Sequence, residues 1–313
     1  MDLASDFSFQ PLPPIEPAVE EPAAAAAEVA AAPAAASPLG LLAPLAGKWA
    51  GRGLNVIWRP NHTPGQDRFL ELNLTSEQIE FKAVPGAIPN RGLLQGDITM
   101  FGLNYLDQIT DANLKAGLHF EPGLWVTIPK TTNPNVGPTV ARLASIPHGT
   151  TVLLQGAATT AAAGPNIPNN GIKPFTINQP NSTIDFPEQT LTNKTSFRSS
   201  GAGLTGITQA MVNNPNSVLK TAIAGQHFTH TTTLHVDTLD KPVPGGGTAN
   251  TAFLKGGQQG PNAVAAQVTA TFWLETLQGQ TAPTQLQYSQ MVLLNFNGLS
   301  WPHITVATLQ RAP

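Results

Sequence analysis

Apolar side chains return at every second position through much of this chain, and a period of two commits a segment to strand rather than helix. In 267–277, Val268, Ala270, Phe272 and Leu274 share one face while Thr269, Thr271 and Glu275 take the other. In 287–297, Tyr288, Gln290, Val292, Leu294 and Phe296 alternate with Gln287, Ser289, Met291, Leu293 and Asn295. In 302–311, Ile304 and Val306 oppose Thr305, Ala307 and Leu309. Leu70, Leu72 and Leu74 align within 68–75, and Ile79, Phe81 and Ala83 within 79–83. Further strands are expected at 52–59, 115–120, 123–128, 139–146, 150–157 and 228–237. No long segment of helical period separates them, which argues against a βαβ architecture. The expected fold is all-β, a closed antiparallel barrel of about ten strands, because closure removes exposed sheet edges. A barrel of that size encloses room for one small ligand.

The 28 glycines and 29 prolines suit short strands joined by turns. Residues 1–37 read as a disordered tail of Pro, Ala and Glu that buries too little to fold. Residues 38–313 read as a single barrel domain with loop insertions near 158–183, 198–225 and 240–263, the middle one able to hold a short helix over 205–224.

The net charge of −3 carries no nucleic-acid footprint. The first forty residues hold six acids and no Lys or Arg, leaving 16 basic and 13 acidic residues beyond them. With no cysteine, disulfides, thiolate metal sites and thiol nucleophiles are excluded. No apolar run approaches the length of a membrane-spanning helix. The N-terminus lacks the basic region of a secretory signal, so a cytoplasmic location is the expectation.

Two end motifs carry chemical information. The first runs Leu45-Ala46-Gly47-Lys48-Trp49-Ala50-Gly51-Arg52-Gly53, after an apolar turn built on Leu39, Leu41 and Leu42. Its Gly-x-Trp resembles the opening of the calycin superfamily, which includes lipocalins and fatty-acid-binding proteins. There a Trp plugs the closed end of the barrel, and a basic residue on the last strand packs on it, which makes Arg311 over Trp49 a candidate cation–π pair. The second motif runs Trp301-Pro302-His303-Ile304-Thr305-Val306-Ala307-Thr308-Leu309-Gln310-Arg311. It is similar to the last strand of the nitrobindins, small haem-binding barrels that also open with Leu-x-Gly-x-Trp-x-Gly-x-Gly. The resemblance implies haem b as cofactor, His303 as the iron's axial ligand, and reaction with nitric oxide, peroxynitrite or peroxide. Neutral imidazole suits haem iron. Pro302 cannot extend a ladder, so it is expected to put His303 at the barrel mouth. The plain alternative is a rim histidine bonded to a loop.

Other residues are weaker candidates. His119 and Glu121, two apart on a strand, share a face and form a possible acid–base pair, or a hairpin pair that only satisfies itself. Pro122-Gly123 after them reads as a type II turn. His148 lies in a Pro-His-Gly turn that leans over the mouth or simply closes a hairpin; with His119 and His303 it could complete one site. Arg59 and Arg91, in loop-like Trp58-Arg59-Pro60-Asn61 and Pro89-Asn90-Arg91-Gly92, could each hold a propionate. His227, His230 and His235 are too spread along one strand for a single ion. Asp67, Arg68, Glu71 and Glu80 read as solvated charges. No phosphate-binding glycine motif or Gly-x-Ser-x-Gly elbow occurs in the right context.

The leading expectation is thus a haem-binding barrel. The alternatives are a cofactor-free carrier of an apolar small molecule, and a cofactor-free isomerase or cyclase using His119 and Glu121. In each case the partner is a small apolar ligand or haem, with no nucleic acid and no membrane span.

Overall fold

A computed structural model describes residues 37–63, 66–146, 149–239, 245–251, 254 and 263–313. His148, most of the expected tail and much of 240–263 lie outside the described residues.

The strands are β1 (Gly47–Thr63), β2 (Gln66–Ala83), β3 (Ile88–Asn90), β4 (Ile98–Asp111), β5 (Gly117–Ile128), β6 (Thr139–Ile146), β7 (Thr150–Ala161), β8 (Phe175–Thr176), β9 (Phe228–Asp237), β10 (Gly247–Asn250), β11 (Val264–Leu277), β12 (Gln285–Phe296) and β13 (Leu299–Ala312). Ten of them form a closed antiparallel barrel in the order β1-β2-β4-β5-β6-β7-β9-β11-β12-β13, with β13 returning to β1. The seam runs from Lys48↔Ala312 to Ile57↔His303. Short β3, β8 and β10 attach to β4, β13 and β7. Asn297-Gly298 joins β12 to β13, both residues at positive φ (49° and 74°), as a two-residue hairpin turn requires.

The number of strands agrees with expectation, while some boundaries differ. β4 was not anticipated, and β2 is one strand rather than two. Pro122-Gly123 makes no turn, since β5 runs straight through it. Residues 117–122 pair only with β4, because pairing with β6 begins at Gly123↔Ala144, and Pro122 therefore costs no ladder bond. Trp58-Arg59-Pro60-Asn61 likewise belongs to β1, not to a loop.

Two apolar cores lie on opposite faces of the barrel wall. The inner one closes one end, where a 3-10 turn over Gly40–Leu45 buries Leu42 and Leu45 against Trp49, Phe81, Trp125 and Phe272. The Trp49 indole donates to the Leu45 carbonyl at 2.7 Å. The outer core gathers Leu54, Val56, Trp58, Leu70, Leu72, Trp301, Ile304 and Val306 beneath the connection between β7 and β9. That connection holds two short helices, α1 (Gln209–Asn213) and α2 (Ser217–Ala222). It is stitched to the wall by polar bonds: Trp58 Nε1 to the Ile172 carbonyl at 2.9 Å, Gln287 Nε2 to the Leu219 carbonyl at 3.0 Å, and Ser289 Oγ to Asn216 Oδ1 at 2.8 Å. Arg198 donates to the carbonyls of Glu188, Thr190, Leu191 and Asn193 and fixes the loop that carries it. This long segment therefore covers the outside of β1, β2, β12 and β13. That is why β1, β2 and β13 carry apolar side chains such as Leu54, Leu72 and Val306 on the outer face, which an antiparallel sheet usually leaves polar.

Candidate functional site

A cavity of about 290 Å³ occupies the barrel interior. It runs from Phe81, Trp125 and Phe272, beside the Trp49 plug, to Arg59, Leu118 and Leu254 at the other end. Register fixes the levels within it. Trp49, Ile79, Asp107 and Glu121 are successive partners across β1, β2, β4 and β5, so Asp107 and Glu121 belong to the plugged half. His303 pairs with Ile57, eight residues along β1 from Trp49, and so belongs to the open half.

The plugged half holds a buried polar network. The Glu121 carboxylate accepts from Tyr105 Oη and Arg142 Nη2 on one oxygen and meets His119 Nε2 on the other at 3.1 Å. Arg142 also donates to Tyr105 Oη at 2.8 Å and to Gln290 Oε1 at 2.5 Å. Tyr288, from across the barrel, donates to Glu77 Oε2 at 2.7 Å. Gly123 is the backbone condition for this arrangement. It lies opposite Tyr105, and a Cβ there would stand 2.3 Å from Tyr105 Cζ, so only glycine lets the phenol lie across β5.

The three carboxyls respond differently to burial. For Glu121 burial alone would raise the pKa, but the Arg142 guanidinium, then His119, then the Tyr105 hydroxyl bring it down to about 2. For Glu77 burial prevails over the Tyr288 hydrogen bond, and the pKa rises to about 8. Asp107 is also pushed well above the usual carboxylate range, first by burial and then by Glu77 and Glu121. The Arg142 guanidinium stays protonated beside Glu121. Glu121 is therefore a fixed anion and a weak base near neutral pH, which argues against it as a general base.

The expected site residues separate. His119, Glu121, Arg59 and His303 line the cavity, and the His119–Glu121 pair forms. Arg91 does not line it, but pairs with Asp97 at 2.6 Å on an exposed turn. Pro302 does not end the strand at the mouth. It lies inside β13, just past the end of the β1 ladder, and His303 is a paired strand residue between Ile57 and Val292. Glu71 is not a solvated charge, since it points into the cavity and binds Arg59 at 2.7 Å. Arg68 is likewise engaged, 4.1 Å above the Phe186 ring. Glu80 and Lys82 pair at 3.0 Å at the surface. His235 meets Thr271 at 2.9 Å on β9. Among the described residues no group of three or more His, Asp or Glu is arranged to hold a metal ion.

Glu77, Asp107 and Arg142 were missed from the sequence. The signal was parity: Asp107 falls between Tyr105 and Ile109, Glu77 precedes Ile79 and Phe81, and Arg142 lies between Val140 and Ala144. Each is a charge on the apolar phase of its strand, the phase that faces inward.

The fold and cavity define a closed ten-stranded antiparallel β-barrel whose interior is compatible with ligand binding. Among solved structures the chain is similar to the crystal structure of Rv2717c from M. tuberculosis, with 15% identity over 89% of this chain and 99% of that one, at a TM-score of 0.42. No protein-family model matches the chain, and neither does any curated protein. Among the described residues no helix is long and apolar enough to cross a membrane.

Proposed function

We propose that the chain is a haem-binding barrel in which His303 supplies the axial imidazole. One observation carries this reading: His303 lines the cavity in its open half, on the strand whose sequence resembles the ligand-bearing strand of nitrobindins. The donor set around it fits the group. The His303 imidazole faces a wall that includes Ile57, Ile146, Val292 and Leu294, and Arg59, paired with Glu71 at 2.7 Å, would exchange that partner for a propionate. The volume of about 290 Å³ is at the small end for ligand pockets, so a group as large as haem would be only partly enclosed, with its propionates toward water. Bound there, haem would supply an iron with one protein ligand and an open face for nitric oxide, peroxynitrite or peroxide.

The test is a haemin titration of wild type and His303→Ala, followed by visible absorbance. The expected result is a saturable Soret band at one equivalent, lost or displaced in the variant. No stoichiometric band in wild type overturns the proposal and leaves the barrel as a cofactor-free carrier, to be examined by extracting co-purified lipid.

A further inference from the structure

The plugged half of the cavity holds two buried carboxyl oxygens without a hydrogen-bond partner. Asp107, 6% exposed, lines the cavity, and its Oδ1 has no hydrogen-bond partner. Glu77, 1% exposed and two residues from Asp107's partner Ile79 on the same face of β2, leaves Oε1 unpartnered as well. The nearby donors are committed: Arg142 to Glu121, Tyr105 and Gln290, Tyr105 to Glu121, and Tyr288 to Glu77. Trp125 Nε1 is the exception among them. Three carboxyls thus face one guanidinium. The remaining wall at this level is aromatic, with Phe81, Trp125, Phe272 and Tyr288 lining the cavity.

We propose that this end of the cavity is a subsite for the ammonium group of a small primary amine, with Asp107 Oδ1 as its acceptor. An ammonium carries three donors and one positive charge. It thereby satisfies acceptors and balances the charge that Asp107 takes on when it gives up its proton, while the ring faces stabilise the ammonium and the hydrocarbon beyond it. A hydroxyl of the same shape offers one donor and no charge. Burial of an unpaired carboxyl is otherwise costly, so the site is built to take such a group. The inference goes beyond the haem reading and does not rest on it, since Asp107 and His303 belong to opposite ends of the cavity.

The experiment is calorimetric titration of the haem-free full chain at neutral pH with hexylamine and, separately, 1-hexanol. Hexylamine is expected to bind at one equivalent at least tenfold more tightly than hexanol. Asp107→Asn is expected to bring the amine to the level of the alcohol without moving the alcohol. Equal affinities in wild type, an unchanged amine affinity in Asp107→Asn, or no amine binding each overturn the proposal. If Asp107→Asn does not fold, wild type alone decides. Burial first, then Glu77 and Glu121, keep Asp107 protonated against the opposing pull of the Arg142 guanidinium, so binding an ammonium there must release a proton. Titrations in buffers of different ionisation enthalpy read that release, and its absence refutes the site. A failed haemin titration leaves this result untouched, and the converse holds too.

Discussion

The guanidinium of Arg311 stands 4.4 Å from the centroid of the Trp49 ring, and its two terminal nitrogens donate to the carbonyls of Pro44 and Ala46 at 2.7 Å each. One side chain on the last strand therefore fastens the indole that plugs the barrel and the turn that covers it. The carbonyls are those a 3-10 turn leaves without partners at its end. Arg311→Ala should destabilise the protein by about 1–3 kcal/mol, the sum of a modest cation–π contact and two charge-assisted bonds at a partly exposed site. Arg311→Lys should recover less than half, because a single ammonium cannot span both carbonyls and the ring. Urea unfolding midpoints at constant slope measure both.

Stability should fall as pH rises through the range in which Glu77 is held protonated. An unfolded glutamate titrates near 4.5, whereas in the fold burial moves Glu77 to about 8. Below pH 4.5 both states carry the proton and the group costs nothing. Between 4.5 and 8 the unfolded chain ionises while the folded one does not, so stability declines, and above 8 the loss is complete. Glu121 acts in a different window: its pKa of about 2 gives stability that is present above 4.5 and lost as pH falls toward 2. Glu77→Gln keeps an acceptor for Tyr288 and removes the ionisation. The variant should nearly match wild type at pH 5 and exceed it at pH 9 by about 4 kcal/mol. Parallel slopes of stability against pH for the two proteins would refute this.

These interior charges also mark the limit of what the sequence reveals. Alternation in Val268 to Leu274 and in Tyr288 to Leu294 made the barrel legible, because those strands have one apolar face. Gly-x-Trp and Arg311 were legible as a plug and its clamp. The strand carrying Tyr105, Asp107 and Asp111 was not, because its inward face alternates between aromatic or aliphatic and acid, which breaks the simple pattern. β2 looked like two strands for a related reason. Its buried face changes from Leu70, Leu72 and Leu74, under the β7–β9 connection, to Ile79 and Phe81 inside the barrel. Pairing of Glu121 with Arg142 depends on β5 and β6 being neighbours, a long-range fact that local spacing does not contain.

Arg142 and Glu121 should be far more costly to separate than to remove together. Arg142→Met leaves the Glu121 carboxylate buried with only His119 and Tyr105, and loss of one member of a buried pair typically costs about 3–5 kcal/mol. Glu121→Gln in the same chain removes the stranded charge. The double variant should regain more than half of that loss, so the coupling energy from a double-mutant cycle should be large and of the sign that marks mutual dependence. Additive losses would mean that the two groups stabilise the barrel independently, against the geometry.

Gly123→Ala tests whether the network depends on the bare backbone of β5. The added methyl would overlap the Tyr105 ring, with Cζ at 2.3 Å and Oη at 2.5 Å, and the phenol would have to leave Glu121 and Arg142. Overpacking of this kind costs about 1–3 kcal/mol, here with the loss of Tyr105's bonds in addition. Tyr105→Phe alone keeps the ring and loses only the hydroxyl. Tyr105→Ala alone opens a cavity, and the methyl introduced by Gly123→Ala should fit into it. Gly123→Ala should therefore be strongly destabilising in wild type and nearly neutral in the Tyr105→Ala background. If the methyl costs the same in both backgrounds, the ring does not lie on Gly123, and the positioning assigned to that glycine is wrong.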